Sequence, residues 1–291
     1  MRNIFHGPRI PILVAIAFLL PAWASVLLFD VLSTSLSMRI SRTEMTINLL
    51  FYELFAEGRW AERLQWALLT FCAGTVLWMR LRLTRDMPGV GEIRVPLTLL
   101  GLGTLIMLAE DALNVRHIVA RLIIASDIIP DLSDRAIRLA WKLSFYALIA
   151  ALVFFSTVTI LRRGFGGGNI PSATRRGFFA AFGLYGLVAF GSAARRVGDW
   201  QENLGAFLIA RLELGEDPRW LKAQEILVEN EWDEAWPLSY LLVDHLVEES
   251  LELIAAALLA SFLLTLRRDL ITRTTGAPQS SGPEVTKAAF R

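Results

Sequence analysis

VPLTLLGLGTLIMLAEDALNVRH, residues 95–117, decides the fold. From Val95 to Ala109 it carries no charge, and then Glu110, Asp111, Asn114, Arg116 and His117 arrive within two helical turns. About 20 apolar residues in a helix cross the roughly 30 Å hydrocarbon core of a bilayer. The stretch therefore reads as a membrane span whose far end is crowded with polar groups.

The whole chain supports that reading. It has 291 residues, of which 54% are hydrophobic, and a mean hydropathy of +0.48, too apolar for a soluble domain of this size. Net charge is +1 and there is no basic tract of the kind that binds nucleic acid. The single cysteine, Cys72, lies in an apolar run, which excludes an intrachain disulfide and a cysteine-built zinc cluster.

Six segments come close to the length of a span: 10–31, 64–79, 95–115, 139–161, 177–194 and 239–266. The first opens like a signal peptide, with Ala22-Trp23-Ala24 in the place of a cleavage site, but the apolar run continues through SVLLFDVL and predicts a retained helix. Arginines fill alternate connections. They are Arg2 and Arg9, then Arg80, Arg82, Arg85 and Arg94, then Arg162, Arg163, Arg175 and Arg176, and finally Arg267, Arg268 and Arg273. By the positive-inside rule these connections are cytoplasmic. An all-α bundle of six transmembrane helices with both termini cytoplasmic follows, one domain over residues 1–272 with a disordered cytoplasmic tail at 273–291.

Two segments on the other side have amphipathic spacing, 43–63 and 204–236, and are expected as interfacial helices. Trp60, Trp66, Trp200, Trp220, Trp232 and Trp236 fall on the same side, as an aromatic belt would. GFGGGNIPS, 164–172, is a flexible turn and not a phosphate loop, because no Gly-Lys-Ser/Thr follows.

On a continuous helix Glu110, Asn114, His117 and Arg121 follow i, i+4, i+7, i+11 and share a stripe about 60° wide, with Asp111 and Arg116 beside it. The last span repeats the pattern with His245, Glu249 and Glu252, flanked by Asp244 and Glu248. The fifth ends with Arg195, Asp199 and Glu202, with Arg196 adjacent, while Glu57, Glu62 and Gln65 open the second. An antiparallel pairing of the third and sixth spans would set His117 by His245 and Glu110 by Glu252. Charged groups inside a span are costly and normally face a bundle interior or water.

EGRWAERLQWALL, LAEDALNVRH and DHLVEESLELIAAALL together resemble a loose family of uncharacterised bacterial multi-pass membrane proteins, in which acidic pairs interrupt helix ends. Glu57-Gly58 with Glu62, Glu110-Asp111, and Asp244 with Glu248 and Glu249 carry the likeness. It implies a multi-pass protein of the bacterial cytoplasmic (inner) membrane and no particular chemistry.

Three functions remain open. The first is the handling of ions, protons or a small polar solute by Glu110, Asp111, Asn114, Glu248, Glu249 and Glu252, with Arg116, Arg121, Arg195, Arg196 and Asp199 as counter-charges. The second is a metal-dependent enzyme acting on a lipid or lipid-linked substrate at the outer leaflet. There His117, His245 and Asp244 would hold a divalent metal ion. The third is an accessory subunit whose acidic segment 211–236 docks a protein partner.

Overall fold

The computed structural model describes residues 8–32, 49–56, 58–86, 90–126, 133–166, 170–194, 199–229 and 237–275. Among these residues every regular element is helical: α1 (Ile10–Val26), α2 (Leu50–Phe55), α3 (Trp60–Asp86), α4 (Arg94–Leu113), α5 (Val115–Ala125), α6 (Asp134–Gly164), α7 (Ser172–Ala194), α8 (Trp200–Arg211), α9 (Pro218–Glu229), α10 (Leu238–Val243) and α11 (Glu249–Thr275). Five stretches, Ile10–Val31, Leu50–Leu83, Gly91–Leu113, Ala136–Gly164 and Leu238–Arg273, are long and apolar enough to cross a membrane. The expected fifth span, 177–194, lies within α7, which has 23 residues but opens with Arg175 and Arg176 in its first turns and is not among those five.

Local chemistry sets the helix ends. Ser133 caps α6 by accepting from the Ala136 amide at 3.3 Å, and Pro11 stands in the first turn of α1, where its missing N–H costs nothing. Asn114 takes the left-handed conformation (φ 50°) and its N–H closes α4 on the Glu110 carbonyl at 2.8 Å. Asparagine tolerates that conformation better than other side-chain-bearing residues. The expected continuous stripe from Glu110 to Arg121 is therefore broken at Asn114, and α5 leaves in a new direction. The last span departs from the expectation in a second way. A π-turn, Asp244–Glu248, joins α10 to α11, and its wider winding shifts His245 out of simple register with Glu249 and Glu252.

Helix α11 is the hub. It packs against α1, α3 and α7, while α4 packs on α3 and α6, and 61% of its apolar window is buried against 22% for the window of α1. Ala255, Ala256, Ala257 and Ala260 are almost wholly enclosed, and small residues of this kind let helix backbones approach closely in lipid. Gly103 is needed for the α4–α6 contact, because a Cβ there would meet Val153 Cγ2 at 2.6 Å. Helix α3 lies against both α4 and α11.

The end of the bundle at which α4 finishes is tied together by polar contacts. Asp30, only 2% exposed, accepts from the Leu50 and Phe51 amides at 2.9 and 2.7 Å and so starts α2. Arg219 donates to the carbonyls of Phe29 (2.7 Å) and Asp30 (3.4 Å), with Asp217 paired to it at 2.6 Å and pushing its high pKa up further. Trp220, expected in an aromatic belt, is instead 3% exposed. It stacks on Phe51 at 5.8 Å and donates to the Asp30 carbonyl at 3.1 Å. The amphipathic face of α9 is thus covered by its own chain. Trp60, 61% exposed, and Trp200, 40% exposed, keep positions suited to a belt. Residues 43–48 and 57 of the first amphipathic segment, 230–236 of the second, and the tail from 276 onward lie outside the described residues, whereas 273–275 complete α11 and are helical.

Two stability predictions follow from these contacts. Asp30→Ala strands two amide donors and should cost about 2–5 kcal/mol, read as a fall in the thermal midpoint of the purified protein in detergent, with Asp30→Asn losing less. Gly205→Ala places a Cβ against the Ser239 carbonyl and should cost roughly 1–3 kcal/mol by overpacking where α8 meets α10. An unchanged midpoint for Gly205→Ala would refute that docking.

Candidate functional site

Four helices bring polar side chains to one place. Helix α3 begins after a turn in which Gly58 has φ +77°, a backbone angle glycine adopts without strain. Glu62, 4% exposed, accepts from the Gly58 amide and so resembles a capping box folded back on the turn. One turn on, Gln65 is 3% exposed, and its Nε2 donates to Glu252 Oε2 on α11 at 3.1 Å. Near its C-terminal end α4 contributes Glu110, 9% exposed, and Asp111. Asp111 lies within electrostatic reach of Glu252, Glu62 and Glu110, and beside the Trp66 indole. Glu249 lies within reach of Glu252, Glu62, Asp111 and Glu248. From α7, Tyr185 lies within reach of Glu252, Asp111 and Cys72.

Acids at this density are held by neutral donors. Gln65 serves Glu252, the Gly58 amide serves Glu62, and Gln201 Nε2 of α8 serves Glu248 Oε2 at 3.1 Å. Seven buried side-chain atoms among the described residues are left without a hydrogen-bond partner, namely Gln65 Oε1, Trp66 Nε1, Asp111 Oδ2, Trp141 Nε1, Tyr185 Oη, Gln201 Oε1 and Glu249 Oε2. Buried polar groups are nearly always satisfied, and one left bare costs about 1–3 kcal/mol. Five of these seven atoms belong to residues of the one cluster.

The residues expected from sequence divide into groups. Asp111, Glu249 and Glu252 meet, with Glu110 and Glu248 at the margin. Asp111, expected beside the polar stripe, is the α4 residue in reach of both acids of α11 and of Tyr185. Asn114 acts through its backbone, as the break between α4 and α5. His245 stands 4.0 Å from Asp244 through Nδ1 and edge-on to Tyr52 at 5.8 Å. Asp244 in turn accepts from the Tyr240 hydroxyl at 3.1 Å. Arg121 and Asp199 are exposed. The side chains of Arg116 and His117, and all of Arg195 and Arg196, lie outside the described residues. Among the described residues no three His, Cys, Asp or Glu side chains form a group spaced to hold a metal ion.

Sequence reasoning undervalued Gln65, Tyr185 and Gln201. A tyrosine in the middle of an apolar helix is the signal that was available, because its hydroxyl needs a partner when buried. Lys142 carried a similar signal. It is 2% exposed in the middle of α6, and its Nζ donates to Ser192 O and Oγ, both at 2.9 Å.

Away from the cluster several buried hydroxyls are spent locally. Thr104 and Thr157 donate to carbonyls four residues back, at 2.8 and 2.7 Å, and Ser156 does the same. The polar chemistry is concentrated at one end of the bundle. No protein-family model, curated protein or solved structure matches the chain.

Proposed function

We propose that the chain is a six-span membrane protein, with the arginine-bearing ends of its helices in the cytoplasm, that handles ions, protons or a small polar solute at the acidic cluster near the opposite leaflet. One observation carries the reading. Asp111 and Glu249, from different helices and within electrostatic reach of each other, each keep a buried carboxylate oxygen with no hydrogen-bond partner. Acids gathered inside an apolar bundle require positive charge or protons among them, and a site that exchanges those species meets the requirement. The alternating arginine connections support the orientation, and the packing of α7 along α11 supports its inclusion as a span.

Topology has a direct test, because Cys72 is the single cysteine and is 0% exposed. Glu216→Cys should label with a membrane-impermeant maleimide on intact cells, whereas Arg82→Cys should label only after permeabilisation. The reverse pattern overturns the orientation.

Function is tested by flux into liposomes containing the purified protein, driven by a pH jump and by gradients of small cations. Wild type should show flux, and Asp111→Asn and Glu252→Gln should reduce it about tenfold or more, the scale of one charge-assisted contact. Identical flux in wild type and both variants, zero or otherwise, refutes the proposal.

A further inference from the structure

The unpartnered atoms of the cluster form a recognisable set. Three are acceptors from three helices: Gln65 Oε1 on α3, Asp111 Oδ2 on α4 and Glu249 Oε2 on α11. Two can donate: Tyr185 Oη, which lies within electrostatic reach of Asp111 and Glu252, and Trp66 Nε1, which sits beside the Asp111 carboxyl group and is shared with it. Gln65 is 3% exposed and fixed by its bond to Glu252 at 3.1 Å, so its carbonyl oxygen has no freedom to seek another partner.

From this set we infer that the cluster binds a primary ammonium group. The inference rests on the proposed solute-handling role and names its ligand class. An ammonium carries three N–H donors, and three buried acceptors await donors here, two of them on carboxylates, where the hydrogen bonds are charge-assisted. Hard metal ions demand several oxygens, each about 2.0–2.6 Å from the ion, and among the described residues no three His, Cys, Asp or Glu side chains form such a group. Hydrogen bonds from an ammonium run to about 2.7–2.9 Å, so its acceptors stand further apart. The aromatic rings of Trp66 and Tyr185 suit a cation as neighbours. Their N–H and O–H groups answer an acceptor on the same molecule, such as a hydroxyl, carboxylate or phosphate oxygen next to the amine. A free amine and the amine headgroup of a bilayer lipid share this chemistry.

The full chain, purified in amine-free detergent, is titrated with ethanolamine hydrochloride, tetramethylammonium chloride, NaCl and CaCl2 at matched ionic strength. The readouts are the thermal midpoint and tryptophan fluorescence. Ethanolamine should raise the midpoint saturably. Tetramethylammonium has no N–H, and should bind about tenfold more weakly or worse, as should ethanolamine to Asp111→Asn and Glu249→Gln. Where Asp111→Asn does not fold, Gln65→Met reads the loss of the neutral acceptor. If the amine belongs to a lipid, nanodiscs of phosphatidylethanolamine raise the midpoint relative to phosphatidylglycerol, and free ethanolamine then adds nothing. Equal responses to tetramethylammonium and ethanolamine overturn the inference, as does saturation by Na⁺ or Ca²⁺ alone, or a wild-type response in the carboxylate variants. In those cases acid-dependent ion flux in liposomes leaves the broader reading standing. Loss of that flux dependence with ethanolamine binding intact overturns the transport reading alone.

Discussion

The hydrogen bond from Gln65 to Glu252 joins α3 to α11 at the acidic end of a largely apolar contact. Carboxylates at the end of an apolar bundle are tolerated only where something other than lipid surrounds them, and a primary amide is a mild way to meet that need. It offers an N–H to one acid and leaves a carbonyl oxygen on the other side of the same group. Gln201 repeats the device on Glu248. An arginine in either place would pair an acid and close the site. With amides, acids stay close together and still retain capacity for a further partner.

That arrangement depends on how closely α11 can be approached. Its alanines are enclosed on several faces, and Gly177 brings α7 within 3.5 Å of the Phe262 backbone for a notional Cβ. Close packing places Tyr185 within reach of acids of α4 and α11. The π-turn before Glu249 adds to this. By widening one turn it directs Asp244 and His245 toward Tyr240 and Tyr52, leaving Glu249 with Asp111 and Glu62. Winding defects of this kind recur at functional sites.

Much of this was legible in the sequence and some was not, for identifiable reasons. Uninterrupted apolar length marks a span wherever it occurs, so α1, α3, α4, α6 and α11 could be read directly, and the acids of LAEDALNVRH and DHLVEESLEL stood out against them. Register could not be read in the same way. Extrapolating 100° per residue across Asn114 or across Asp244–Glu248 assumes regular winding, and both places depart from it. Which helix lies between two others is equally hidden, because in lipid no surface pattern distinguishes a helix touching two neighbours from one touching a single neighbour. Trp220 shows a related ambiguity. A tryptophan beside charged residues suits a membrane interface or a buried stack, and the Asp30 carbonyl beneath its indole decided for the stack.

The two ends of the bundle also differ in a way that bears on where the chemistry lies. At the arginine end, charge is absorbed by nearby groups. Arg267 lies over the Trp78 ring at 3.8 Å, and Arg273 donates to the Gly164 carbonyl at 3.0 Å, satisfying the end of α6. Arg80 donates to Thr98 at 2.8 Å, and Asp269 accepts from Thr174 at 2.6 Å. These contacts clasp helix ends and leave little unmet. At the acidic end the neutral amides hold the acids in place while buried oxygens of Asp111, Glu249 and Gln65 stay unsatisfied. Folding alone gains nothing from such bare atoms, since replacing Gln65, Asp111 and Glu249 by apolar residues of similar size would remove the penalty. Among the described residues these bare atoms gather at the acidic end of the bundle.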